Sequence, residues 1–136
     1  MSVDVLAIAK RWAHLLDHDA FADLPAMMHA RCTYVLPNET IIGPDGIVAS
    51  YRAASEWAHA TFDTIEWYSE LAIEPDGRVR ITFIDITRHK GVDHTYRCQQ
   101  IITIGDDGLI CHIEHIDLPE ERAALDAFFD RVGVTR

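Results

Sequence analysis

The sequence predicts an α+β fold in which N-terminal helices are wrapped by a curved antiparallel sheet. Three observations carry this expectation. Apolar residues at helical spacing dominate the first part of the chain, β-branched runs fill most of residues 65–116, and turn residues punctuate those runs. Strands of that length twist, and a twisted sheet closing over helices makes a cone-shaped α+β barrel with an open mouth and an internal pocket.

The first helix is expected from about Val3 to Asp17, because Val5, Ile8, Ala9, Trp12 and Leu16 recur at helical spacing. Asp19 stands as the N-cap of a second, shorter helix carrying Phe21, Leu24 and Met28, with Pro25 near its start. Cys32 to Leu36 reads as a short strand stopped by Pro37 and Asn38. Gly43-Pro44-Asp45-Gly46 opens a third helix, with Pro44 suited to the first turn and Ile47, Tyr51, Ala54 and Ala58 as its apolar stripe. A strand follows from about Ile65 to Ile73, and Glu74-Pro75-Asp76-Gly77 turns the chain back.

Three further strands make the centre of the fold. They run from Val79 to Thr87, from Thr95 to Ile104 and from Leu109 to Ile116. Lys90-Gly91-Val92-Asp93 and Gly105-Asp106-Asp107-Gly108 join them. Leu118-Pro119-Glu120-Glu121 opens a closing helix that buries Leu125, Phe128 and Phe129.

The 136 residues suit one domain, spanning 1–136, with a single core. A net charge of −10 excludes a general binder of nucleic-acid phosphates and disfavours anionic membrane surfaces. No apolar run approaches the ~20 residues of a membrane-spanning helix, and Met1-Ser2-Val3-Asp4 lacks the features of a signal peptide. Three cysteines, Cys32, Cys98 and Cys111, cannot all pair within one chain, so a cytoplasmic protein with reduced thiols is expected.

Strand alternation divides each run into two faces. Phe83, Asp85 and Thr87 share one, whereas Thr82, Ile84 and Ile86 share the other, and both sets contain apolar residues. A cover is therefore expected on each face. Asp85 is a carboxylate in mid-strand between Ile84 and Ile86, where burial in ionised form costs several kcal/mol without a partner (roughly).

The order of elements resembles the nuclear transport factor 2-like superfamily, in its SnoaL-like branch. The residues that carry the resemblance are Arg11 to Asp19, Gly43-Pro44-Asp45-Gly46-Ile47, and Ile113-Glu114-His115-Ile116-Asp117. Laid along the chain, the phenol of ketosteroid isomerase falls on Trp12, its general-base aspartate on Leu36 and its oxyanion-binding acid near Gln100. That mechanism is therefore not expected. The same resemblance implies a pocket face of Phe83, Asp85, Tyr96, Cys98, Gln100, Cys111, Ile113, His115 and Asp117. An aspartate at the end of the last strand serves as acid/base in SnoaL-like cyclases, and Asp117 lies close to it. An aspartate after helix one orients a histidine in the scytalone dehydratase-like branch, and Asp17 matches it.

From these residues a catalytic set of Asp85, His115, Asp117 and Asp17 is expected, with Asp85 and His115 exchanging protons. Asp117 has a second reading, since Asp117-Leu118-Pro119-Glu120 has the spacing of a capping box. Asp85 has one too, as the structural partner of an arginine or tyrosine. Trp12, Tyr34, Trp57, Phe83, Tyr96, Cys98, Gln100 and Ile113 are the expected ligand-binding wall. Alternation sends His112 away from Cys111 and His115, so no metal site is expected. Arg80, Thr82, Arg97, Gln99, His112 and Glu114 with interleaved isoleucines form an outer face suited to a homodimer. The function implied is a cofactor-independent isomerase, dehydratase or cyclase acting on a small apolar cyclic metabolite. The alternative is a non-catalytic ligand-binding or dimerisation module of the same fold.

Overall fold

A computed structural model describes residues 3–135 of the chain. Helix α1 spans Val5–Asp17 and is capped by Asp4, whose carboxylate accepts the Ala7 backbone N–H at 3.0 Å. Strands β1 (Met28–Val35) and β2 (Thr40–Ile42) follow, then helix α2 (Pro44–Thr61). Strands β3 (Thr64–Ile73), β4 (Val79–His89), β5 (Val92–Ile104) and β6 (Ile110–Ile116) precede helix α3 (Pro119–Val132). The six strands make one sheet in the order β2-β1-β6-β5-β4-β3. No helix among the described residues is long and apolar enough to cross a membrane.

The expected meander is present: β3 to β6 pair antiparallel in sequence order. Three features differ from expectation. The strand foreseen at Cys32–Leu36 begins at Met28 and pairs in parallel with β6, across an irregularity between Met28 and Thr33. Its antiparallel partner β2, three residues long, is too short to leave a periodic signal.

The second helix is replaced by two single 3₁₀ turns, Phe21–Asp23 and Pro25–Met27. Pro25 has no N–H to return to Phe21, so an α-helical ladder cannot form there, and Leu24 bonds to Phe21 instead. Met28 belongs to β1, and Asp19 caps nothing in this segment. The third difference is the β4–β5 hairpin. Its turn is only Lys90 (φ 51) and Gly91 (φ 77), so β5 begins three residues before the expected Thr95.

Register places side chains in rows across the inner face. The deepest row, Val79, Ile102, Ile113 and Tyr34, is at most 5% exposed and packs beneath α1. Trp12, at 0% exposure, fills the space between α1 and this layer. A second cluster of Ala58, Phe62, Phe128, Phe129 and Val132 joins the end of α2 to α3. Between the two clusters the sheet face is left uncovered.

Candidate active site

The uncovered face bounds a cavity of about 540 Å³. Its sheet wall climbs in rows set by the register: Gln100 and His115 lowest, then Phe83 and Cys98, then Trp67, Asp85 and Tyr96, then Ile65 and Thr87. Leu16 and Asp17 enter from the end of α1, Tyr51, Ser55, Trp57 and Ala58 from α2, and Leu125 and Phe129 from α3. Among the described lining residues there is no lysine or arginine.

Asp85 is held on β4 directly opposite Trp67 on one side and Tyr96 on the other. Burial among these rings pushes its carboxyl up to about 7, and the negative charge of Asp17 adds to the rise. No ion pair of the described residues involves Asp85. Asp17 sits at the last residue of α1, where the Ser69 hydroxyl donates to its Oδ2 at 2.7 Å. Burial also raises Asp17, against the Ser69 hydrogen bond and the charges of His18 and His14. The pair is therefore two carboxyls whose environments disfavour double ionisation, which is the arrangement that keeps one proton available near neutral pH.

The Asp19 carboxylate, expected from the sequence to cap a helix, instead ties α2 to the loop after α1. The Ser55 hydroxyl donates to Oδ1 at 2.7 Å, and His59 Nε2 meets Oδ2 at 3.0 Å. Its backbone stands at φ 56, a left-handed conformation that aspartate tolerates better than most residues.

The cavity floor holds a second polar group. Tyr51 donates to Gln100 Oε1 at 2.7 Å, and Gln100 Nε2 donates to the Tyr34 oxygen at 2.9 Å. The two phenol rings stack at 5.3 Å, and burial pushes both hydroxyls well above the usual tyrosine range. Neighbouring Cys98 is driven up to about 12, first by burial and then by the charge of Asp85, so it is a neutral thiol.

His115 also lines the cavity, one position above Ile113 and opposite Gln100. Burial lowers its imidazole, Asp117 raises it and Arg122 lowers it further. Its charged neighbours are thus Asp117 and Arg122, while Asp85 is coupled to Asp17.

Nine of the expected catalytic and ligand-binding residues line the cavity: Asp17, Asp85 and His115 with Tyr34, Trp57, Phe83, Tyr96, Cys98 and Gln100. Three do not. Trp12 and Ile113 lie in the core layer beneath, both at 0% exposure. Asp117 is exposed and paired with Arg122 at 3.4 Å; neither the cavity nor a cap claims it, because Leu118 is the N-cap of α3 and that end has no side-chain cap. Cys111, expected on the pocket face, donates instead to the Thr103 carbonyl at 3.5 Å, beside the register shift that precedes Ile104. Sequence reasoning missed Tyr51, Ser69, Trp67 and the Asp19–Ser55 contact. Tyr51 was visible only as part of an apolar stripe, and Trp67 is found once its register against Asp85 is known.

No group of three or more His, Cys, Asp or Glu among the described residues is placed to hold a metal ion.

The geometry has solved counterparts. A nuclear transport factor 2-like protein of unknown function from Exiguobacterium is 18% identical, with a TM-score of 0.61 over 80% of this chain and 96% of its own. A candidate polyketide cyclase from Xanthomonas campestris is 10% identical, with a TM-score of 0.64 over 88% and 94%. TerC, co-crystallised with polyporic acid, is 16% identical, with a TM-score of 0.65 over 88% and 95%. No family model and no curated protein matches the sequence. The chain thus has the nuclear transport factor 2-like fold: a six-stranded curved sheet around helices.

Proposed function

We propose that the protein is a cofactor-independent enzyme that moves a proton on a small, largely apolar cyclic metabolite, by isomerisation, dehydration or cyclisation. The observation that supports this best is Asp85: half-buried, coupled to Asp17, in no ion pair among the described residues, and raised to about 7 inside an aromatic cavity. A carboxyl in that range gives and takes a proton at neutral pH with little penalty either way. Asp17, fixed by Ser69, keeps Asp85 from ionising early. Similarity in fold to a candidate polyketide cyclase and to a protein crystallised with polyporic acid supports a cyclic ligand.

One observation favours a non-catalytic binding module instead. By the resemblance, the phenol and base of ketosteroid isomerase fall on Trp12 and Leu36 and its acid near Gln100, so any chemistry has to use other residues. Deuterium exchange separates the two readings. The protein is incubated in deuterium oxide with neutral cyclic C–H acids, and label uptake is followed by mass spectrometry. Catalysed exchange that falls by about 100-fold or more in Asp85→Asn is the expected result. Binding without any exchange, or exchange unchanged in the variant, rejects the enzyme reading.

We also propose a homodimer through the outer sheet face, where Tyr68 and Ile86 are exposed.

A further inference from the structure

We propose that His59 is a positioning residue: it holds the Trp67 ring against Asp85, while Asp19 and Ser55 hold His59. Ser55 and His59 lie one turn apart on α2, so their side chains leave the same side of the helix. There they grip one carboxylate. The Ser55 hydroxyl donates to Asp19 Oδ1 at 2.7 Å, and His59 Nε2 stands 3.0 Å from Asp19 Oδ2. The His59 ring fixed in this way meets Trp67 edge to face, with centroids 4.9 Å apart and planes at 87°. Trp67 in turn is the cross-strand partner of Asp85.

Trp67 needs a support because β3 is an edge strand. Asp85 has a strand on either side, whereas Trp67 has β4 on one side only. The ring also stands at a boundary. Trp67, Asp17, Asp19 and Ile65 border both the cavity and a second recess, which lies between the end of α1 and β3 and is lined further by His18 and Glu66. A Trp67 ring that swings away joins the two spaces, and water from the recess reaches the Asp85 carboxyl. Kept in place, the ring preserves the dry surroundings that hold Asp85 protonated.

Three roles for His59 give three different signs. If it supports Trp67, its loss admits water and the Asp85 midpoint falls. If it acts as a nearby cation, its loss removes a charge that favours the carboxylate, and the midpoint rises. If it only ties α2 to the loop after α1, the midpoint stays where it is. Asp17 from α1 and Tyr96 and Cys98 from β5 face Asp85, and Asp19 faces His59; all are retained when His59 is replaced. The consequence for turnover rests on the proton-transfer reading, but the support itself is tested on the resting protein.

The measurement is carbon-13 NMR of protein labelled at its aspartate carboxyls, titrated from about pH 4 to pH 9 without ligand. The Asp85 signal is assigned by its absence from Asp85→Asn. The His59 side chain is 53% exposed, so His59→Ala takes little from the core. Its Asp85 midpoint is expected to fall by about one pH unit. Trp67→Ala should lower the midpoint too, and adding His59→Ala to it should change nothing further, since the support then has nothing to hold. An unchanged or raised midpoint in His59→Ala overturns the proposal, as does a fall of full size in the Trp67→Ala background. Should Trp67→Ala not fold, fluorine NMR of 5-fluorotryptophan protein decides, with the Trp67 signal assigned by Trp67→Phe. A solvent isotope shift of that signal that grows in His59→Ala supports the proposal, and an unchanged one overturns it. If the midpoint depends on His59 as expected but deuterium exchange does not depend on Asp85, the support stands and the catalytic reading fails.

Discussion

Asp85 is the residue at which pH and stability meet. Its carboxyl titrates at about 7 in the fold against 3.8 as the ordinary value, so the folded protein keeps a proton the unfolded chain has lost across that window. Stability from this site is complete below pH 4 and erodes as pH rises through 7, the reverse of a salt-bridged aspartate. The full difference corresponds to at most on the order of 4 kcal/mol. Asp85→Asn removes the titration and leaves the shape. The variant is therefore expected to be close to wild type at pH 4 and to gain on it steadily up to pH 8 in denaturant titrations. A variant that loses stability relative to wild type at pH 8 shows that Asp85 anchors the sheet as an anion. Asp17 titrates in both proteins and largely cancels from the comparison.

At the scale of elements, the β4–β5 hairpin fixes the register that brings Trp67, Asp85 and Tyr96 into one row. Its two-residue turn needs positive φ at both positions, which glycine adopts freely and lysine does not. A Cβ added at Gly91 meets nothing within 4 Å, so Gly91→Ala costs only the backbone strain, about 1 kcal/mol. Lys90→Asn should act in the opposite sense by a few tenths of a kcal/mol (roughly), because asparagine tolerates this conformation better. Opposite shifts in the urea midpoint check the pair; shifts of the same sign would mean the turn does not control the hairpin.

The elements most legible in the sequence were those with long periodic runs: α1, α2 and β3 to β6 each follow from spacing or β-branched content. Those that escaped depend on partners far along the chain. β1 extends back through His29, Ala30 and Arg31 beside β6, a parallel pairing that no local pattern announces. The site divides the same way. The family resemblance implied a pocket face with Asp85, Tyr96, Cys98 and His115, and all four line the cavity. The Asp17–Ser69 and Tyr51–Gln100 contacts join residues 52 and 49 positions apart, and only the folded geometry makes them neighbours. Ile113 and Trp12 share that inner side but lie a layer too deep, a distinction that periodicity does not encode.

The whole molecule has two sheet faces, and its helices cover one. On the other, register aligns Tyr68, Ile84 and Arg97 in one row and Glu66, Ile86 and Thr95 in the next. Tyr68 is 51% exposed and Ile86 39%, a share of apolar surface that a second copy can bury. An isologous pairing places the same patch on both partners, so Arg97 of one copy can meet Glu66 or Glu70 of the other around the isoleucines. At the end of the face near the β3–β4 turn the polar groups are already paired within the chain, Arg80 with Glu74 at 2.6 Å and with Gln99 at 2.7 Å, and this leaves the rows of Ile84 and Ile86 as the contact. Wild-type protein should therefore sediment as a dimer at micromolar concentration. Ile86→Glu sets two like charges near the two-fold axis and should yield a folded monomer with an unchanged far-ultraviolet circular dichroism spectrum. Raised salt restores little, because the lost contact is apolar first and charged second. A wild-type monomer, or a dimer indifferent to Ile86→Glu, removes this face from the assembly.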